Sequence, residues 1–476
     1  MTDTWLPAYP ADSGGHCPPT LSPTLPLSIV SATMYVSETL GQFGARFPTQ
    51  PVSPSVLHHA KRAVVDWYAA LIAGYPMHPT PLLEAAMADD LDRGPARLAL
   101  GRPATVKAAA LIQGTASHTA EVDDIFKHAI YHPGAPTISA ALAVGQQVDA
   151  SGREFLQAVI VGYEISTRIG QILGRAHYQY WHNTGTVGTF GAAAAAACLL
   201  RLDATQFTHA LCTSATFAAG LQQAFQMDSM SKPLHSGRAA EAGVAAALMA
   251  RQGITSSLDV LEGKMGMGVA MGNAPDWAPV LADLGEVFNI TEMTFKNHAC
   301  CGHTFAPIDG ALELQRTHGF TPAEIAHIEV ATYGPALAVA GNPAPRTAAE
   351  ARFSIPYVVS TALRCGSVRL AAFDAAQLHH PDTRALMEKV SLTVHPDLDR
   401  QFPGQRAAQV TIRLHSGQTL HFLQPTRKGD PDMPLTDADL QSKLEELATA
   451  TLGAERLQAI SSRLWQLETA PDLHFL

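Results

Sequence analysis

Charge is scarce in this chain. Only 16% of its 476 residues are Asp, Glu, Lys or Arg, and aromatics make up 7%. Its 42 acidic side chains outnumber the 32 basic ones, giving a formal net charge of −10. That balance argues against nucleic acid or an anionic membrane as the main partner. An anionic ligand would have to be drawn by local positive charge. No apolar run reaches the length of a membrane span without a Gly or a charge, and the longest, Gly191 to Leu200, is a core helix by length. The six cysteines (Cys17, Cys198, Cys212, Cys300, Cys301 and Cys365) form no CxxC pattern. Cys300 and Cys301 are adjacent and cannot easily bridge each other, so a reduced, cytoplasmic protein is expected. The first thirty residues lack a basic start and a continuous apolar segment, so they do not read as a secretory signal. Rich in Pro, Ser and Thr, residues 1–36 are expected to be a disordered extension.

Against this low-charge background, Ser117 to His132 stands out. Its sixteen residues hold three histidines (His118, His128, His132), three carboxylates (Glu121, Asp123, Asp124) and Lys127. Alanine-rich apolar segments flank it, and buried charges must be paired or change their protonation. Such a concentration marks a functional-site candidate. A polar surface loop is one reading. A metal site is another, since His128 and His132 are spaced i,i+4, but Pro133 follows and no Glu stands after the first His. The preferred reading is a cofactor-free acid/base and carboxylate-binding site, with no metal.

Taken in order, the chain predicts a mainly α fold: a large all-helical domain with an inserted, smaller α+β lid domain. Helices are expected to begin near Ser37 and after Ser53-Pro54, and from Pro81 to Leu91, Val106 to Gly114 and Pro136 to Val148. Ser151 to Glu154 is a capping box, and Asp203 opens another helix. Polar breaks are expected at 177–185 and at 229–236, the latter containing Lys232 and His235. The texture changes near Phe295. A further helix start is read at Thr321 to Glu324. After it, strand-like alternation appears at 328–332 and 390–394, and a hairpin turns at Ser416-Gly417. Helices return from Thr436. The domain boundaries are 1–36 for the extension, 37–292 for the helical domain, 293–431 for the lid, and 432–476 for helices completing the helical domain.

Several signatures in this order resemble the MmgE/PrpD family, over essentially everything from Ser37 onward. They are Gly114 to His118 leading to Val122-Asp123-Asp124, His132-Pro133-Gly134, and His182 ahead of Gly185-Thr186-Val187-Gly188. Ser231 to Gly237, Phe295-Lys296 before Cys301-Gly302-His303, and Ala351 to Ser354 leading to Tyr357 complete the set. The resemblance implies a homodimer with an active site between a helical domain and an α+β lid, and no metal or redox cofactor. The implied chemistries are 2-methylcitrate dehydration, which leads, then iminodisuccinate epimerisation and cis-aconitate decarboxylation. A catalytically inactive carboxylate-binding protein is the non-enzyme alternative. The site positions implied are Glu121, Ile125, His132, His182, Lys232, Lys296 and Tyr357. Two depart from the family pattern: Glu121 stands where Asp is usual, and Ile125 where Thr is frequent.

These chemistries share one difficulty, since a bond at a carbon next to a carboxylate must be broken or made. His132 is expected to carry the proton. His182 is a second carrier or a carboxylate ligand, and Tyr357 donates to a substrate oxygen or a leaving hydroxyl. Lys232 and Lys296 supply fixed positive charge where negative charge develops. Glu121 and Ile125 are expected to line the substrate. Asp123, Asp124 and His235 are expected to be supports, with one of the aspartates orienting a His or Lys and the other capping a helix.

Overall fold

In the computed structural model, residues 34–227, 229–402 and 404–476 are described. Most of the extension expected at 1–36, residues 1–33, lies outside them. The first helices described are α1 (Val36–Arg46) and α2 (Pro54–Gly74), where the Ser53 side chain accepts from the Val56 amide. The helix expected from Pro81 to Leu91 is shorter. α3 (Thr80–Ala86) stops early, and Leu91 opens strand β1 (Leu91–Arg97), which pairs with β2 (Pro103–Ala104). Gly94 and Pro95 in that stretch favour an extended chain over a helix interior.

Next come α4 (Val106–Thr119), α5 (Gly134–Gln147), α6 (Gly152–Tyr178), α7 (Asn183–Leu199) and α8 (Ala204–Phe217). The Ser151–Glu154 capping box forms at the start of α6. The break expected at 229–236 is instead the first turns of α9 (Ser231–Arg251). Pro233 is tolerated there because the first amides of a helix have no intrahelical partner.

The centre of the body is α7, buried from end to end and packed on α5, α6, α8 and α9. Its run of alanines suits that position, since small side chains let four neighbours approach. The crossing of α4 with α9 is equally close. A methyl group on Gly114 would stand 2.9 Å from the Gly237 Cα, and one on Gly237 would run into the Leu111 carbonyl. This contact sets α9 beside α4 and so fixes the distance between their polar ends.

Beyond Phe295, α10 (Phe305–His318) and α11 (Ile355–Cys365) pack on a four-stranded sheet. Its strands are β3 (Ile325–Thr332), β4 (Val390–Val394), β5 (Ala408–Leu414) and β6 (Thr419–Gln424), in the order β4-β3-β5-β6. β3 and β4 run parallel, while β3–β5 and the β5–β6 hairpin are antiparallel. Val410 and Ile412 point into a core shared with Ile328, Val330, Ile355 and Val359. At Thr321–Glu324 the capping box closes only one 3₁₀ turn, because β3 begins at once.

The chain then returns to α12 (Asp437–Leu452) and α13 (Ala454–Trp465), and both pack on α2. Arg62 of α2 donates to Asp437 at 2.6 Å. Residues 35–476 cluster as one compact unit, and the architecture is mainly α. No helix among the described residues is long and apolar enough to cross a membrane.

Candidate active site

The site is built on the turn that ends α4. Glu121 sits there with φ of +60°, in the left-handed region that side chains other than glycine seldom adopt. Three consecutive carbonyls of this turn each accept from a different cation. Arg352 donates to the Ala120 carbonyl at 2.8 Å, Lys296 to that of Glu121 at 2.9 Å, and Lys443 to that of Val122 at 2.6 Å. The three come from the segment before α11, the segment after Phe295, and α12. An unusual backbone persists where the surroundings over-determine it, and here three distant segments do so.

The side chains of the turn face one cluster. The Glu121 carboxylate accepts from Lys232 Nζ in the first turn of α9, and its other oxygen lies 3.6 Å from Lys296 Nζ. Burial would raise the Glu121 pKa, but Lys232 and then Lys296 outweigh it and hold the acid ionised far below its usual range. Phe225 floors the Lys232 ammonium at 5.7 Å and meets His182 edge-on at 5.0 Å.

Asp123 is buried, and its Oδ2 lies 2.6 Å from His118 Nδ1 and 3.3 Å from His132 Nδ1. Burial would raise its pKa, but the two imidazoles outweigh burial and keep it well below the usual carboxylate value. An ionised carboxylate only accepts, so His118 carries its proton on Nδ1. His132 lacks full hydrogen-bond alignment with Asp123 but keeps the same side towards it, leaving Nε2 as the free basic atom. Burial pushes the His132 pKa down to about 4. His182, the residue before α7, stacks on His118 at 5.6 Å and shares an Nδ1–Nδ1 hydrogen bond of 3.1 Å with His235 of α9. One of that pair donates and the other accepts. Burial and the surrounding cations lower both pKa values.

Asp124 faces away from this cluster. It accepts from the Gly134 amide at the start of α5 at 3.0 Å and from the Tyr163 hydroxyl at 2.8 Å. Burial, with Asp66 and Asp123 near, pushes its pKa up to about 8. Ile125 contributes backbone, pairing with Thr294 in both directions at 2.8 and 2.9 Å and so tying the turn to the approach to Lys296. Tyr357 stands apart. It is fully buried, its hydroxyl donates to the Ala372 carbonyl, and its ring lies 6.0 Å from Phe373.

Sequence reasoning missed three contributors. His118 was visible only as part of a motif, although an aspartate five residues on could have marked it. Arg352 likewise stood only inside a motif and Lys443 had no local signal, since their partners are main-chain carbonyls far away in sequence. Lys443 also pairs with buried Asp66 at 2.6 Å, and burial drives each towards its neutral form.

Among the described residues one group could hold a metal: His118, Asp123 and His132, with ligand atoms within 4.8 Å of one another. Two ligands at 2.0–2.1 Å from a tetrahedral ion stand about 3.3–3.4 Å apart. The 2.6 Å His118–Asp123 contact is too short for that, and Lys296 Nζ at 3.8 Å from Asp123 opposes a second cation. His128, weighed earlier beside His132 as a metal ligand, packs edge-on against Phe126 at 5.4 Å instead. The residues fit a hydrogen-bonded proton-transfer site better than a metal centre.

Comparison with known proteins agrees with this arrangement. The MmgE/PrpD N-terminal domain matches residues 38–280, and the MmgE/PrpD C-terminal domain matches 298–467. The chain is 28% identical over 455 residues to the cis-aconitate decarboxylase-like protein oryM of Aspergillus oryzae, covering 89% of this chain and 92% of that protein. It is also 28% identical over 378 residues to cis-aconitate decarboxylase of Homo sapiens, covering 77% of this chain and 78% of the human protein. Two matched domains spanning most of the chain, around one buried His–Asp–Lys cluster, make this protein a member of the MmgE/PrpD family.

Proposed function

We propose that the protein is a cofactor-independent lyase of small di- or tricarboxylic acids, with decarboxylation of a cis-aconitate-like acid as its reaction. One observation carries the reading: Lys232 and Lys296, 64 residues apart in sequence, converge on the single carboxylate of Glu121 beside the Asp123–His132 pair. A site that holds one carboxylate between two ammonium groups suits a substrate carboxylate of the same chemistry. The sequence alone ranked dehydration of a 2-methylcitrate-like acid first. The relatives' names move decarboxylation ahead, and the same cations serve either leaving group.

In this reading the lysines neutralise the substrate's carboxylates and stabilise the charge that builds as the bond breaks. When carbon dioxide leaves, the electron pair of the broken C–C bond passes into the adjoining double bond and carboxylate. A carbon of that system then takes a proton. His132 is neutral in the free protein, and an arriving polyanion raises its pKa so that it can hold and deliver that proton. The His182–His235 pair is the second proton reservoir.

The test is turnover in deuterium oxide with cis-aconitate, 2-methylcitrate and iminodisuccinate. Carbon dioxide release from cis-aconitate with one deuterium in the product is expected. Water loss from 2-methylcitrate instead would replace decarboxylation by dehydration. No turnover and no exchange with any of the three would defeat the lyase reading.

The proposal includes residues 293–431 acting as a lid that carries Lys296 to the substrate. It also includes a homodimer burying an apolar helical face. Light scattering should give about twice the 50.5 kDa chain mass, and a value near the chain mass would remove the dimer.

A further inference from the structure

A second cationic cavity lies outside this cluster. Its volume is about 200 Å³, below the roughly 300–1,000 Å³ of drug-sized ligand pockets. It is walled by the Lys127–Ile130 turn, by Gly174 and Arg175, and by Gly404 and Arg406. At Gly174 a φ of +56° breaks α6, and the redirected chain brings the Arg175 guanidinium to 5.5 Å from the Phe402 ring. Arg406 lies 5.9 Å from the same ring.

Two guanidinium groups therefore share one aromatic ring, and among the described residues no Asp or Glu lines the cavity. Lys127 reaches Asp432 at 3.2 Å, and Asp430 is taken by Arg427. Arg406 has no hydrogen-bonded carboxylate among the described residues, although burial and the nearby Arg427 both disfavour its charge. Arg406 is half-buried, and with Asp430 already held by Arg427 its guanidinium has no carboxylate of its own, so an anionic ligand is favoured there. Tyr178, at the end of α6, lies within electrostatic reach of both Arg406 and Glu121.

We propose that this cavity is an outer binding site for a small oxyanion, a phosphate or a short-chain di- or tricarboxylate, held by Arg406 and Arg175 with Lys127 at its rim. Arg406 forms the fixed floor and Arg175 the exposed, adjustable contact. Guanidinium groups suit this ligand because their forked donors match two oxygens of one carboxylate or phosphate. In a protein of net charge −10, such a patch also concentrates anions locally.

Inorganic phosphate is the probe, titrated at constant ionic strength and followed by calorimetry. Lys232→Met first removes one cation of the inner site, and phosphate should still bind. Adding Arg406→Gln should weaken that binding about tenfold or more, the loss of one charge-assisted hydrogen bond. Arg175→Ser, at an exposed position where folding is not at stake, should weaken it as well. In the otherwise unaltered protein, Arg175→Ser raising KM at constant kcat identifies the occupant as substrate on its way inward. Phosphate changing kcat while KM is unmoved identifies free phosphate as the occupant. Phosphate binding lost with Lys232→Met alone, or indifferent to both arginine changes, overturns the proposal. The phosphate measurement does not depend on the inner site being a lyase, so either reading can fail without the other.

Discussion

Asp123 is addressed by two imidazoles through one oxygen, and this decides how His132 behaves. Replacing His132 by Gln keeps its rough size but removes the group that titrates. kcat should fall about 10²–10⁴-fold with KM little changed, measured by steady-state kinetics on the true substrate. Retention of near wild-type kcat would pass the proton to the His182–His235 pair. Lys296→Met keeps the stem and removes the charge, so KM should rise and kcat fall together, because substrate and transition state both carry the anion.

Protonation also sets two opposite pH dependences of stability. His132 is pushed down to about 4 from an ordinary 6.5, so the folded protein binds fewer protons than the unfolded chain between those values. Its contribution is present above 6.5 and lost as the pH falls towards 4. Asp124 runs the other way, raised to about 8 from 3.8, so its contribution is present at low pH and lost as the pH rises through about 8. Asp124→Asn preserves an acceptor for the Gly134 amide and cannot ionise. It should flatten the decline of stability between pH 6 and 8, read by urea unfolding at several pH values. An unchanged decline would remove Asp124 as its source.

At the scale of elements, the crossing of α4 and α9 aligns the chemistry. Gly237→Ala should push the helices apart and destabilise the protein by about 1–3 kcal/mol. It should also lower activity by misplacing Lys232 and His235, which lie within two turns of the contact. Denaturant midpoints together with kcat/KM would check this, and an unchanged pair of values would sink it.

Helices were legible where local physics dictates them. Ser53, Ser151 and Asp203 each accept from the amide three residues on, and periodic apolar positions follow. The sheet was legible from alternation, as Val410 and Ile412 inside β5 illustrate. Ser231-Lys232-Pro233 misled because breaker residues read alike in a loop and in the first turn of a helix. Glu121 and Lys232 were each marked by a motif. Their contact across 111 residues was not legible, since it is set by how α4 and α9 pack.

For the molecule as a whole, Lys443 couples the two ends of the fold. It bonds both Asp66 on α2 and the Val122 carbonyl of the turn that ends α4. Lys443→Met should destabilise the protein by about 3–5 kcal/mol, as removal of one partner leaves a buried carboxylate uncompensated. Combining it with Asp66→Asn should recover much of the loss, measured by urea unfolding. A double variant no more stable than Lys443→Met would show that the carboxylate is not the cause.

The same lysine imposes an order on biosynthesis. It follows Val122 by 321 residues, and ribosomes add about 5–20 residues per second, so roughly 15–65 s separate the two. During that interval the nascent helical body has emerged with Asp66 unpaired and the α2 face that receives α12 uncovered. The growing chain therefore cannot complete the turn that ends α4, and the α2 face stays uncovered until the C-terminal helices arrive.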